Sequence, residues 1–216
     1  MAAPSTLHLL DTRDTTAIVS LAPTFPPYTY PSLTTNLICR VVLSVVSNLV
    51  CLVPLCLLYR NGEFAASLFI LSNEIRNLDT IVNSLLWRDD DITSWWPGYG
   101  FCDFDIYLRM ATVGIYASCL LAIMRGLASK VSLERAQRMT AKERRRRNWI
   151  QALIIFPYPI AMMAIIWLAS QQRYEVATLQ GCEWIAHPSW PFLVFTILPQ
   201  PVLASLTTAY ARELAF

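Results

Sequence analysis

Charge is scarce in this sequence. Asp, Glu, Lys and Arg make up 15% of its 216 residues, against 55% hydrophobic ones, whereas a water-soluble domain carries about 25% charged residues. The deficit excludes an ordinary soluble domain, because the apolar residues come in long blocks and not in short periodic stripes. Histidine is nearly missing, with only His8 and His187. No two of Cys39, Cys51, Cys56, Cys102, Cys119 and Cys182 stand in C-x-x-C spacing, so no metal and no cofactor are expected. There is no G-x-S-x-G, no H-E-x-x-H and no phosphate-binding loop, which argues against an enzyme. No N-x-[ST] sequon occurs, and no charged start leads into an apolar core with a cleavage site, so no cleavable signal peptide is expected.

What is present is apolar length. A helix needs about 20 apolar residues to cross a bilayer. The expected spans lie at about 41–59, 64–87, 106–128, 149–168 and 191–210, preceded by a proline-rich outer tail over 1–33 and followed by a short inner end at 212–216. The fold class expected is all-α, a polytopic transmembrane helix bundle spanning residues 34–211.

The second span is the difficult one, since it carries Glu74, Arg76 and Asp79. On a helical wheel Asn73, Arg76, Asn77, Thr80, Asn83, Ser84 and Trp87 fall on one arc, opposite Leu71, Ile75, Leu78, Val82 and Leu85. Asn73, Arg76, Asn77, Asp79 and Asn83 are therefore assigned to a polar face turned into the bundle. Arg76 and Asp79, three apart, can neutralise each other, while Glu74 lies off the stripe.

Charge asymmetry orients the spans. Residues 125–148 hold nine Lys or Arg against two Glu, ending in Arg144, Arg145, Arg146 and Arg147. The loop after the second span instead holds Arg88 against Asp89, Asp90, Asp91, Asp103 and Asp105. The positive-inside rule places the basic loop in the cytoplasm and the N-terminus outside. Its arginines can face anionic lipid, contact a cytoplasmic protein, or simply anchor the topology. Nucleic acid is a poor fit as partner, because the run abuts a membrane span. Trp87, Trp95, Trp96, Tyr107, Trp149 and Trp190 near span ends read as interfacial anchors, with a ligand cradle as the alternative for Trp95 and Trp96. Pro54, Pro157, Pro159, Pro199 and Pro201 are expected to kink their spans. Cys102 and Cys182 both fall on the outer side, where oxidising conditions permit a bridge, though two separate thiols fit the residues too. The remaining four cysteines read as packing residues.

Several spaced motifs then agree in order. Gly100-Phe101-Cys102-Asp103 opens the third span. Gln171-Gln172-Arg173-Tyr174-Glu175-Val176 and Gly181-Cys182 follow the fourth. Pro201, Ser205 and Tyr210-Ala211 mark the fifth, and Asn73, Asn77, Asn83 and Trp87 the second. Over residues 36–211 the chain resembles the fungal mating pheromone receptors that detect lipid-modified peptides, within the fungal class of G-protein-coupled receptors. The resemblance favours a Cys102–Cys182 bridge. It implies a plasma-membrane receptor with a farnesylated peptide pheromone outside and a heterotrimeric G protein inside. Ligand contacts would fall at Trp95, Trp96, Asp105, Arg109 and Glu183, and inner-face contacts at Arg125 and Arg144 to Arg147. Two departures stand out. Met124-Arg125-Gly126-Leu127 offers one arginine where such receptors usually have a pair, and five spans are expected here of seven, so independent signalling is not expected. Two rival readings remain: a small ion-coupled transporter using Glu74, Arg76 and Asp79, and a non-signalling membrane partner of full-length receptors.

Overall fold

The computed structural model describes residues 19–20, 31–89, 95–131, 140–169, 174–184 and 190–213. Most of the tail expected over 1–33, together with Asp90, Asp91, the stretch 132–139 and Gln171 to Arg173, lies outside the described residues.

The chain is a helical bundle. Helix α1 (Pro31–Asn61) is 31 residues long, about 46 Å at the usual rise, and packs on α2 (Phe64–Leu86). Helix α3 (Phe101–Val131) packs against α2 and against the helical segments 141–155, 157–169 and 199–213. The fourth apolar stretch is α4 (Ala141–Ile155) followed by α5 (Pro157–Ala169). The last comprises α6 (Trp190–Phe192), a π-helical turn over Leu193–Ile197, and α7 (Pro199–Glu213).

Four helical segments among the described residues are long and apolar enough to cross a membrane: Thr34–Asn61, Phe101–Ser129, Ala141–Ile166 and Leu193–Arg212. Helix α2 has the length, at 23 residues, but its three mid-helix charges set it apart. On it Leu71, Leu78, Val82 and Leu85 are exposed, whereas Asp79, Asn83 and Ser84 are buried, as is Glu74 off the stripe.

Several sequence expectations need correction. The basic segment 125–148 is not a loop at its ends, because α3 runs to Val131 and α4 starts at Ala141. The Thr140 hydroxyl accepts from the Glu143 N–H while the Glu143 carboxylate accepts from the Thr140 N–H. This capping box starts the helix eight residues before the expected span, and places the whole arginine run on helical turns. Pro54 sits within an unbroken helix, whereas Pro157 follows the break at Phe156, where the missing N–H cannot bond back. Pro199 likewise follows the π turn, which is closed by Leu198 N donating to the Leu193 carbonyl at 2.9 Å. Cys119 is fully buried, but Cys39 and Cys56 are exposed on α1 and do not pack inside the bundle.

A three-stranded sheet stands at one end. Strand β2 (Glu175–Ala177) pairs antiparallel with β3 (Gly181–Glu183), and β1 (Val19–Ser20) adds in parallel to β2. Two buried clusters result. One, beside the sheet, gathers Trp87, Cys102, Ile106, Ile166, Tyr174, Val176 and Cys182. The other, near the opposite end, gathers Ala65, Cys119, Ala122 and Ile155.

Candidate functional site

At the sheet end, two helices bring opposite charges face to face. Asp79 and Asn83 lie one turn apart on α2, and Asp105 and Arg109 one turn apart on α3, so each pair shares a helix face. The Arg109 guanidinium lies 3.5 Å from Asp79 and 3.6 Å from Asp105. Arg76 lies 3.6 Å from Asp79. The Asn83 amide donates to Asp79 Oδ1 at 2.6 Å and to Asp105 Oδ2 at 3.3 Å. Two carboxylates thus meet two guanidiniums, and the cluster is neutral overall. Asn83 and Asp105 are each 1% exposed. A buried charge is tolerable only when paired and hydrogen-bonded, and here the pairing is reciprocal across the helix interface.

The β2–β3 hairpin covers this cluster. Its turn residue Leu179 is buried, with a left-handed backbone at φ 62°. The Leu179 N–H donates to the Trp87 carbonyl at 2.8 Å. The Leu179 carbonyl accepts from Ser84 Oγ at 3.0 Å and from Arg40 at 3.3 Å, and the Gln180 carbonyl accepts from Arg109 at 2.9 Å. A disulfide joins Cys182 of β3 to Cys102 at the start of α3. One turn is therefore fastened to α1, α2 and α3 together. Gly181 (φ 76°) packs directly on the Asn83 side chain, and a Cβ there would overlap Asn83 Oδ1. Glu183 extends the charge pattern outward, 3.9 Å from Arg109 and accepting from the Gln180 amide.

Among the residues singled out from sequence, Asp105, Arg109 and Glu183 come together with Arg76, Asp79 and Asn83. Trp95 and Trp96 do not join them. Trp96 stacks on Trp87 with centroids 6.3 Å apart, and lies 6.1 Å from Phe101, while Trp95 Nε1 donates to the Asp89 carbonyl and carboxylate at 3.1 Å. Trp87, expected as an interfacial anchor, is wholly buried and donates to the Trp96 carbonyl at 3.2 Å. Its place on the polar arc of the wheel was the available signal. Asn77 turns the other way, donating to Asn48 at 2.7 Å and Ser47 at 3.1 Å on α1. Asn73 bonds only within its own helix, to the Phe69 carbonyl at 3.1 Å. Glu74 is buried, and its Oε1 has no hydrogen-bond partner among the described residues. At the far end, Arg147 pairs with Glu63 at 3.4 Å and donates to the Gly62 carbonyl at 3.1 Å. Arg125, Arg144, Arg145 and Arg146 are exposed. Leu179, Gln180 and Arg40 escaped the sequence reading as site residues, since main-chain acceptors in a left-handed turn leave no pattern in residue types, whereas Ser84 stands on the polar arc.

Apolar helices of spanning length around a lidded, ion-paired interior define a multi-pass helical membrane protein. Residues 39–215 match the family described as pheromone A receptor. The chain belongs to that family. It is 27% identical over 142 residues to the pheromone a factor receptor of Saccharomyces cerevisiae, covering 65% of this chain and 29% of that protein. It is 26% identical over 127 residues to the pheromone M-factor receptor of Schizosaccharomyces pombe, covering 57% and 33% respectively. With pheromone receptor 1 of Mycosarcoma maydis it shares 30% identity over 148 residues, covering 65% and 38%. The matched region thus spans less than two fifths of each of these relatives. All three are receptors, and the transporter reading gains no support from them.

Proposed function

We propose that the chain forms five spans of a pheromone-sensing G-protein-coupled receptor of the plasma membrane, with α2 as the second span and the N-terminus outside. It acts as a receptor and not as an enzyme. A farnesylated peptide would engage the hairpin side, where Asp105, Arg109 and Glu183 lie, and a heterotrimeric G protein the side bearing Arg125 and the α4 arginines. The observation that supports this best is the Leu179–Gln180 turn, hydrogen-bonded to α1, α2 and α3. A ligand that presses on such a turn acts on three helices at once, which is the differential contact a ligand-driven switch requires.

The test is binding of fluorescent farnesylated peptides to membranes carrying the chain. Saturable binding that weakens in Glu183→Gln is the expected result, and no saturable binding to any peptide of the set would overturn the reading. Orientation is tested separately with glycosylation sequons placed in the N-terminal tail and in 132–139. Modification of the first alone is expected, and modification of the second alone reverses the topology.

A further inference from the structure

Four consecutive helical residues point about 100° apart, so the run Arg144 to Arg147 cannot act as one patch. The fold divides it. Arg147 turns inward to Glu63 and the Gly62 carbonyl. Arg144 and Arg145 instead line a surface cavity of about 640 Å³, together with Phe64 from the start of α2 and Asn148, Trp149 and Ala152 from α4. Lys142 and Arg146 are exposed outside it.

The cavity has two chemistries along its length. On the first turn of α4 it is lined by Arg144 and Arg145, and no carboxylate is among the described residues of its wall. Glu143, their sequence neighbour, holds its carboxylate against the Thr140 N–H and hydroxyl at 2.9 and 3.0 Å. One turn further along α4, Asn148 Oδ1 is buried and has no hydrogen-bond partner among the described residues. Toward the other end Trp149 is 60% exposed, and Leu153, one turn further along the same helix, is 70% exposed. Guanidinium forks match phosphate oxygens, tryptophan favours the headgroup level of a bilayer, and an exposed leucine beyond it favours acyl chain. The polar end, the aromatic and the apolar end stand in the order in which a phospholipid presents phosphate, glycerol and tail.

We propose that this cavity is a binding site for one anionic phospholipid. Its phosphate sits between Arg144 and Arg145, a headgroup hydroxyl or ammonium donates to Asn148 Oδ1, and its acyl chains run past Trp149 toward Leu153. A bound lipid bridges the start of α2 to α4 through Phe64 and Trp149. That the leaflet is the cytoplasmic one rests on the orientation proposed above, while the site itself does not.

The test uses the whole chain in nanodiscs of phosphatidylcholine containing a minority of phosphatidylserine or phosphatidylinositol phosphate, with retained lipid read by native mass spectrometry. Discs expose both leaflets, so a reversed topology changes only the glycosylation result and a missing lipid site changes only this one. Arg144→Gln/Arg145→Gln is expected to lower anionic-lipid retention about tenfold or more, as two surface cations would supply. Lys142→Gln/Arg146→Gln, an equal charge loss outside the cavity, is expected to lower retention several-fold less than the cavity pair does, by no more than the diffuse attraction of two surface cations. Because the Arg144 guanidinium packs on Gly62, Arg145→Gln alone is run beside the pair as a variant that spares that contact. Trp149→Ala is expected to weaken lipid retention. Equal losses in the two double variants would overturn the proposal in favour of diffuse charge attraction. Competition by inorganic phosphate as strong as that by lipid would overturn it in favour of a free-anion site. Displacement of the lipid by an acidic peptide, with no lipid retained in its absence, would overturn it in favour of a protein partner.

Discussion

The two ends of the bundle are held by different forces. The hairpin end combines an aromatic core around Trp87, a disulfide, an ion-paired cluster and four hydrogen bonds to a single turn. The arginine end has a smaller core of Ala65, Cys119, Ala122 and Ile155, with Arg147 as its described cross-helix polar tie. Directional bonds fix a geometry, whereas the apolar contacts of the second core, which Phe64, Phe69 and neighbouring aliphatics complete, carry no such direction. Local opening should therefore be cheaper at the arginine end. In a receptor, that is the end expected to change shape when the other is touched.

Substitutions can break this contrast. The largest effect is expected from Arg109→Leu, which leaves Asp105 in the interior without a cation and Asp79 with Arg76 alone, at a cost of about 3–5 kcal/mol. Thermal unfolding in detergent should show a clearly lowered midpoint, partly restored by adding Asp79→Asn and Asp105→Asn. Next comes Cys182→Ser, at about 2–4 kcal/mol. Hydrogen exchange should speed up through residues 174–184 while 141–155 stays unchanged, and acceleration at both ends would erase the contrast. Thr140→Ala removes the α4 cap and costs about 1 kcal/mol, visible as faster exchange confined to the first turn of α4.

The smallest effect concerns Glu175, which stands directly opposite Glu183 in the strand pair, a like-charge arrangement that disfavours pairing. Burial first, and the Glu183 charge second, raise the Glu175 carboxyl above its ordinary 4.5. The folded hairpin thus holds that proton more tightly than the unfolded chain does. Its contribution to stability is fully present below the ordinary value and is lost as pH rises through the raised one. Glu175→Gln should slow hairpin exchange at neutral pH and make little difference in acid.

Sequence legibility follows the same division. Periodicity in α2 marks which residues face inward, and the Arg76–Asp79 pair needs only their spacing. What faces them is another matter: a wheel assigns a side of a helix but not the neighbour beyond it, so the meeting of Asp79 with Arg109 requires the fold. Counting cations in 125–148 yields an orientation and a loop, but Thr140 and Glu143 also carry the spacing of a helix start, which a charge count does not register. Trp87 shows the opposite error. Tryptophan near a span end suits the bilayer interface, and the alternative of deep burial under a hairpin depends on residues about 90 positions away in the chain, as the Leu179–Trp87 hydrogen bond illustrates.

The fastening of the Leu179–Gln180 turn uses main-chain carbonyls and an N–H, groups that nearly every amino acid supplies. The exposed Gln180 can therefore vary, short of proline, without losing the attachment to Arg109, whereas Leu179 is held by its burial and left-handed backbone. Gly181 and Cys182 have no such latitude, since one must lack a side chain against Asn83 and the other must form a bond. A scaffold of this kind separates positions that must stay constant from one that can vary.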